Sequence, residues 1–126
     1  MKLLLDTNVV VWLLLGAREA IPSAVAERIA DVDIDSLVSA ASVWEIATKR
    51  SLGKLDIDPR WREVLNRLDI GQLPVSAEHA AGVEALPWHH RDPFDRLLVA
   101  QAMVEGCVLV TADRTLDQYD VQTLWG

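Results

Sequence analysis

One cysteine, Cys107, stands among 126 residues. A lone thiol forms no intramolecular disulfide, so the fold must rest on its core, and a reducing cytoplasm is the compartment expected. Nothing in the chain has the Cys/His spacing of a structural zinc site. Long apolar runs are also missing. The segment from Val9 to Leu15 has seven residues, whereas a membrane-spanning helix needs about 20. Lys2 followed by Leu3 to Leu5 has the superficial look of a secretion signal. Asp6 and Asn8 interrupt it, and the segment reads as core rather than as a targeting sequence. Basic residues are scarce, with 12 Lys and Arg against 19 Asp and Glu and a net charge of −7. That excludes a general nucleic-acid coat protein, which carries a basic surface. It leaves open an acidic site whose charge a bound cation offsets. No repeat, low-complexity tract or long linker divides the chain. Its 51% hydrophobic and 25% charged residues are ordinary for a globular protein, and the length suits one domain over residues 1–126.

What is present alternates in type. Leu3-Leu4-Leu5 reads as a short buried strand, and Thr7 to Leu15, closed by Gly16, as a buried helix. Pro22 and Ser23 open a second helix with Val25, Ala26, Ile29 and Ala30 at helical spacing. Leu37-Val38 suggests a strand, followed by a helix from about Ser42 to Ser51. Pro59 starts the next, with Trp61, Val64, Leu65 and Leu68 on one stripe. Leu73-Pro74-Val75 reads as extended and Ala77 to Ala85 as helix. Pro93 begins the strongest helix, which runs to Glu105 and stops at Gly106. Cys107 to Val110 forms a strand, and Val121 to Leu124 an edge strand. Strands alternating with helices predict a three-layer α/β/α domain around a short parallel sheet. Ligands of such sheets bind beyond the carboxyl ends of the strands.

Acidic residues fall at those ends. Asp6 follows the first strand, and Asp113 follows Val110 by way of Thr111 and Ala112. Asp92 and Asp95 flank the start of the Pro93 helix, and Glu45 lies early in the Ser42 helix. Each has a plain structural reading. Asp6 and Asp92 suit helix N-caps, and Asp95 suits the positive end of a helix dipole. Glu45 can pair with Lys49 at i+4 on an exposed face, and Asp113 can cap a short turn over Arg114 to Gln118. None of these explains why carboxylates should gather at one sheet edge, where they raise one another's pKa. A hard divalent cation such as Mg²⁺ or Mn²⁺, which prefers oxygen ligands, resolves the conflict.

Four segments carry a family likeness: Leu5-Asp6-Thr7-Asn8; Ser42-Val43-Trp44-Glu45-Ile46 with Lys49; His90-Arg91-Asp92-Pro93-Phe94-Asp95-Arg96-Leu97-Leu98 running into Ala100-Gln101-Ala102; and Thr111-Ala112-Asp113. With them, essentially the whole chain resembles the PIN-domain ribonucleases, in particular the VapC-type toxins of bacterial toxin–antitoxin pairs. The resemblance implies an acidic quartet of Asp6, Glu45, Asp95 and Asp113. Asp95 is then the catalytic carboxylate and Asp92 the cap, with Thr7 and Thr111 supporting the site by hydrogen bonds. It also implies a parallel sheet, a homodimer, a small antitoxin that blocks the site, and products with 5′-phosphate and 3′-hydroxyl ends.

The reaction expected is metal-dependent hydrolysis of RNA phosphodiester bonds by an activated water. Asp6 and Asp95 would hold the principal Mg²⁺ or Mn²⁺, with Glu45 and Asp113 completing the site. Residues 49–67 hold six of the 12 basic residues against three acidic ones, a local balance of +3 that leaves −10 for the rest. Lys49 and Arg50 in this stretch, and Arg91 and Arg96 beside the Pro93 helix, are the candidate phosphate contacts. His89 and His90 are either substrate contacts or simply exposed. Trp12, Trp44, Trp61, Trp88 and Trp125 suit packing better than base stacking, since the first three lie in apolar or amphipathic helices. Competing readings are a phospho-receiver-like signalling domain, a DNA-directed or flap-type nuclease of the same fold, and a binding module without activity. The receiver wants paired acids after the first strand and a late lysine. Here Asp6 stands alone, and Lys2, Lys49 and Lys54 are the only lysines.

Overall fold

Leu3, Leu4 and Leu5 are fully buried and form the middle of the sheet in a computed structural model that describes residues 1–126. Their strand, β1 (Lys2–Leu5), is followed by α1 (Thr7–Leu15), α2 (Ser23–Ala30), β2 (Asp35–Ser39), α3 (Ala40–Ser51), α4 (Trp61–Arg67) and β3 (Gly71–Leu73). The chain continues through α5 (Ala77–Gly82), α6 (Pro93–Glu105), β4 (Val108–Val110) and β5 (Thr123–Leu124). The five strands lie in the order β3-β2-β1-β4-β5, and every pairing is parallel. The expected three-layer α/β/α domain with a short parallel sheet is the fold observed.

Side chains alternate across a strand, and the two faces of the sheet bury different helices. Leu3 and Leu5 pack with Val9 and Val10 of α1, Val25 of α2, and Trp61 and Leu65 of α4. Leu4 and Leu109 pack with Leu98, Val99 and Ala102 of α6, and with Leu116 and Tyr119. Strands buried on both faces read as continuous apolar runs, which is why three successive leucines suit β1. The β-branched run in α1 is a poor helix former by intrinsic propensity, and burial of Val9 and Val10 outweighs that preference. No helix is long and apolar enough to cross a membrane.

Caps set where the helices begin. Asp6 accepts the Val9 N–H at the start of α1, and Gly16 ends that helix in the left-handed region at φ 66°. Asp92 accepts the N–H groups of Phe94 and Asp95, and Pro93 occupies the first turn of α6. Other boundaries differ from the sequence reading. α3 starts at Ala40 because β2 runs straight into it and the Ser39 hydroxyl caps the Ala41 N–H. α4 starts at Trp61, since Asp58 accepts the Arg60 N–H and turns the chain around Pro59. β3 lies on Gly71–Leu73 rather than beyond it, because Pro74 has no N–H to give a ladder. Residues 77–85 divide into α5 and a 3₁₀ turn at Val83–Ala85.

Candidate active site

In-register pairing of parallel strands brings their carboxyl ends to one edge. Leu5 pairs with Val38 on one side and Val110 on the other. Asp6 therefore emerges beside Thr111, and its N–H donates to the Val110 carbonyl at 3.0 Å. One Asp6 carboxylate oxygen, Oδ1, caps α1, and the other, Oδ2, accepts the Thr111 hydroxyl. Capping α1 thus occupies only one of the two carboxylate oxygens, and the other faces Thr111 at the sheet edge. Thr111 in turn accepts the Asp113 N–H at 3.0 Å, and Asp113 Oδ1 caps the 3₁₀ turn over Arg114–Gln118 through the Thr115 N–H. Thr7 donates from its hydroxyl to Ser42 Oγ at 3.0 Å, fastening the start of α1 to the first turns of α3. Ser42 is a support that the sequence reading did not single out, although it stands in the quoted run.

Glu45 departs from its plain reading. The i+4 pair with Lys49 forms, Nζ to Oε2 at 2.7 Å, but Glu45 is only 4% exposed and faces inward. Its other oxygen, Oε1, is buried with no hydrogen-bond partner. A buried carboxylate oxygen left without a partner is costly and marks a place for a cation. Burial pushes the Asp6 carboxyl up, and Asp113 and Glu45 add to that, against the lowering hydrogen bonds from Thr111 and the Val9 N–H. Burial also pushes Asp95 up to about 7; Asp92, Glu45 and Asp6 add to the rise, and His90 opposes it. The hydrogen bond with Glu45 holds the Lys49 ammonium above its usual range, and Asp92 and Asp95 contribute. Charge interactions thus link Asp6 with Asp113 and Glu45, and Asp95 with Asp6 and Glu45, while Lys49 pairs with Glu45.

His90 joins this group more closely than the sequence suggests. Its Nε2 lies 3.1 Å from Asp113 Oδ2 and 3.4 Å from Asp95 Oδ2. These three groups have ligand atoms within 4.8 Å of one another, close enough for a metal ion. The other ring nitrogen argues against His90 as a ligand. Nδ1 accepts the Asp92 N–H at 3.0 Å, so the proton of the neutral ring sits on Nε2, which is then a donor. A metal-bound histidine has the reverse arrangement, donating from its second nitrogen. The Tyr119 hydroxyl accepts the His90 N–H and holds the loop in place. Asp113 is 23 residues away in sequence, and no local pattern signals the contact. Asp95 and Asp113 remain as the oxygen donors of this group, with Asp6 and Glu45 outside it, and carboxylate donors suit a hard divalent ion such as Mg²⁺ or Mn²⁺.

One candidate phosphate contact is elsewhere. Arg96 is 4% exposed. Its guanidinium donates to the carbonyls of Pro87 (2.9 Å), Val83 (3.1 Å) and Leu86 (3.3 Å), and to the Tyr119 hydroxyl (3.3 Å). On α6 one position past Asp95, it points away from solvent and fastens the loop that carries His90. Arg91 is exposed, while Lys49 and Arg50 are half-buried. The tryptophans divide as well. Trp61 is buried, and Trp12 packs on Trp125 with centroids 5.8 Å apart. Trp44, expected in a packing role, is instead 61% exposed and meets Phe94 edge-on at 4.8 Å. Trp88 is also exposed. His89 is exposed and meets Tyr119 edge-on at 5.0 Å.

A family model described as "PIN domain" matches residues 3–122. No curated protein matches the chain by sequence. Among solved structures, the chain is similar to one in the crystal structure of VapBC2 from Rickettsia felis bound to a DNA fragment from their promoter. The TM-score is 0.76 at 15% identity, covering 100% of both chains. A chain of VapBC-1 from nontypeable Haemophilus influenzae gives a TM-score of 0.73 at 18% identity, covering 98% of this chain and 97% of that one. DNA-bound VapBC from Salmonella typhimurium gives 0.69 at 16% identity, again covering 98% and 97%. At such identities the likeness speaks to the fold, and the family model, spanning nearly every residue from β1 to the threshold of β5, speaks to descent. Together with the carboxylates at the sheet edge, it bears out the family resemblance seen in the four motifs: the chain belongs to the PIN-domain family.

Proposed function

We propose that this protein is a divalent-metal-dependent endoribonuclease and the toxin of a toxin–antitoxin pair. The observations that carry the reading are the grouping of Asp95, Asp113 and His90 at the sheet edge, Asp6 tied to Asp113 through Thr111, and a buried Glu45 oxygen with no partner. Asp6, Asp95, Glu45 and Asp113 would hold Mg²⁺ or Mn²⁺. When bound, the ion supplies a water of lowered pKa and offsets charge on the phosphate in the transition state. Thr111 fixes the Asp6 carboxylate by its hydroxyl, so that oxygen needs no reorientation to serve as a ligand. The Nε2–H of His90 turns Asp113 toward Asp95. The Lys49 ammonium fixes one oxygen of Glu45 and leaves Oε1 buried and without a partner, open to a cation. Arg91 and the basic stretch that begins at Lys49 supply phosphate contacts from the rim. No side chain acts as a nucleophile in this scheme.

The partner reading rests on likeness. The VapBC structures named above and a toxin–antitoxin complex from Klebsiella pneumoniae share the fold. An apolar cavity of about 610 Å³ between α1 and α2, lined in part by Trp12, Leu13, Ile21, Ala26 and Leu68, has room for a segment of an antitoxin. A homodimer belongs to the same reading.

The test compares wild type with Asp95→Asn on mixed single-stranded RNA in Mg²⁺, in Mn²⁺ and in chelator. Cleavage by the wild type that vanishes in chelator and in the variant supports the reading. Equal cleavage by both proteins overturns the site assignment, and metal binding unchanged by the substitution does the same.

A further inference from the structure

A cleft of about 400 Å³ is lined by Val83, Glu84, Trp88, Arg91, Pro93 and Arg96, the last two on the helix that carries Asp95. Trp88 is 75% exposed, an unusual state for so large an aromatic side chain. Its inner face rests on the Arg96 guanidinium, 3.7 Å from the ring centroid. That guanidinium is itself immobile, held by the carbonyls of Val83, Leu86 and Pro87 and by the Tyr119 hydroxyl. The indole is therefore a flat plate on a fixed backing, largely exposed at the wall of the cleft. A plate already ordered loses little rotamer freedom when something stacks on it.

The charges around the cleft give it a direction. Arg91 is exposed and forms no ion pair with any carboxylate. Glu84, also exposed, lines the cleft as well. A cation attracts a phosphate and an acid repels it, while a carboxylate accepts from the N–H edge of a base. His90 is two residues from Trp88, and Pro93 opens the helix that carries Asp95.

We propose that this cleft is a base subsite. An unpaired nucleobase of single-stranded RNA stacks on the outer face of Trp88, and the attached phosphate meets Arg91. The adjoining phosphodiester is thereby directed along the His90 loop toward the carboxylates. The proposal rests on the ribonuclease reading above and assigns to Trp88 the contact with an unpaired base, since a base inside a duplex has no free face.

The experiment measures binding of a short fluorescein-labelled single-stranded RNA by anisotropy in EDTA, so that no cleavage occurs. Trp88→Ala is expected to weaken binding roughly 5- to 100-fold, the range of one aromatic–base stack. Trp88→Tyr, which keeps a stacking ring over Arg96, is expected to stay within a few-fold of wild type. Arg91→Ala weakens binding and flattens the logarithmic salt dependence by about 0.7, the contribution of one phosphate contact on a single strand. In Mn²⁺, Trp88→Ala raises KM more than it lowers kcat. Wild-type affinity in a folded Trp88→Ala protein overturns the subsite. So does an equal loss on single strand and duplex, or a loss that Tyr does not restore. If Trp88→Ala weakens only a protein partner, the cleft is a protein interface and the subsite is likewise overturned. Cleavage by the wild type with binding indifferent to Trp88 sinks the subsite alone. A wild type that neither binds nor cleaves this RNA sinks the nuclease reading.

Discussion

Removing one carboxylate should stabilise this protein when no metal is bound, and the sign should depend on pH. Burial above all, with Asp92, Glu45 and Asp6 adding to it, raises the Asp95 pKa in the fold from 3.8 to about 7. A carboxyl raised in the folded state favours folding while it is protonated. Its contribution is fully present below the unfolded pKa of 3.8 and is lost as pH rises through about 7. At 1.36 kcal/mol per unit the shift has a ceiling of about 4 kcal/mol. The Asp95 side chain is 23% exposed, so water screens part of the repulsion, and roughly 1–2 kcal/mol is the expected cost at pH 8. Asp95→Asn keeps the shape and removes the charge. In urea unfolding with EDTA, the variant should match wild type near pH 4 and exceed it by about 1–2 kcal/mol at pH 8, a rise in Tm of several degrees. Excess Mg²⁺ or Mn²⁺ should reverse the order. The wild type gains about 2.7 kcal/mol at a hundredfold excess over Kd, while the variant has lost a ligand. A variant less stable than wild type at pH 8 in EDTA would refute the electrostatic account. A gain that is equal at pH 4 and pH 8 would refute the assignment to the Asp95 charge.

Three further outcomes follow from the same geometry. Arg96→Met should cost about 3 kcal/mol in urea unfolding, because it strips charged hydrogen bonds from the carbonyls of Val83, Leu86 and Pro87. A loss in RNA binding with stability unchanged would restore Arg96 as a phosphate contact. Thr111→Val should lower metal affinity or cleavage roughly 10- to 100-fold. The loss should be larger at pH 6 than at pH 8, since the hydroxyl holds the Asp6 pKa down and its removal lets protons compete with the metal; titration of Mn²⁺ by calorimetry at the two pH values checks it. For His90, pulsed electron paramagnetic resonance of the Mn²⁺-loaded protein should show no directly bound imidazole nitrogen, because Nδ1 accepts the Asp92 N–H and Nε2 carries the proton. A strong nitrogen coupling lost in His90→Asn would make His90 a ligand.

Much of this site is legible in the sequence because strand ends obey a simple rule. In a parallel sheet, the residue after each strand emerges at the same edge, so Asp6 after Leu5 and Thr111 after Val110 must meet. Caps are equally local: Asp6, Asp92 and Asp113 all take N–H groups two or three residues ahead. What the sequence hides is burial at a distance. Whether Glu45 faces solvent or the site depends on the packing of α3 against α1 and α6, and an i+4 lysine is compatible with both. Arg96 shows the same limit more sharply. An arginine beside a candidate catalytic aspartate reads as a phosphate contact, yet its position on α6 turns it toward carbonyls of the 3₁₀ turn at Val83–Ala85 and the following loop. Those carbonyls are invisible to any residue pattern, since every residue has one.

Arg96 also shows why structural and functional roles are hard to separate at this edge. Deleting it should unfasten the loop from Pro87 to Asp92 and release the backing of Trp88. The same loop places His90 Nε2 against Asp113 and gives Asp92 to the start of α6, which carries Asp95. One buried guanidinium thus holds the exposed indole, the imidazole donor and the helix cap in a common frame. It touches none of the four carboxylates, yet it braces the loop that carries His90 and leads into the helix of Asp95. A phenotype at Arg96 that mimics loss of Asp95 would therefore report lost positioning. Restoring cleavage at low temperature, where the loop is again held by packing alone, would separate that from a direct contact with substrate.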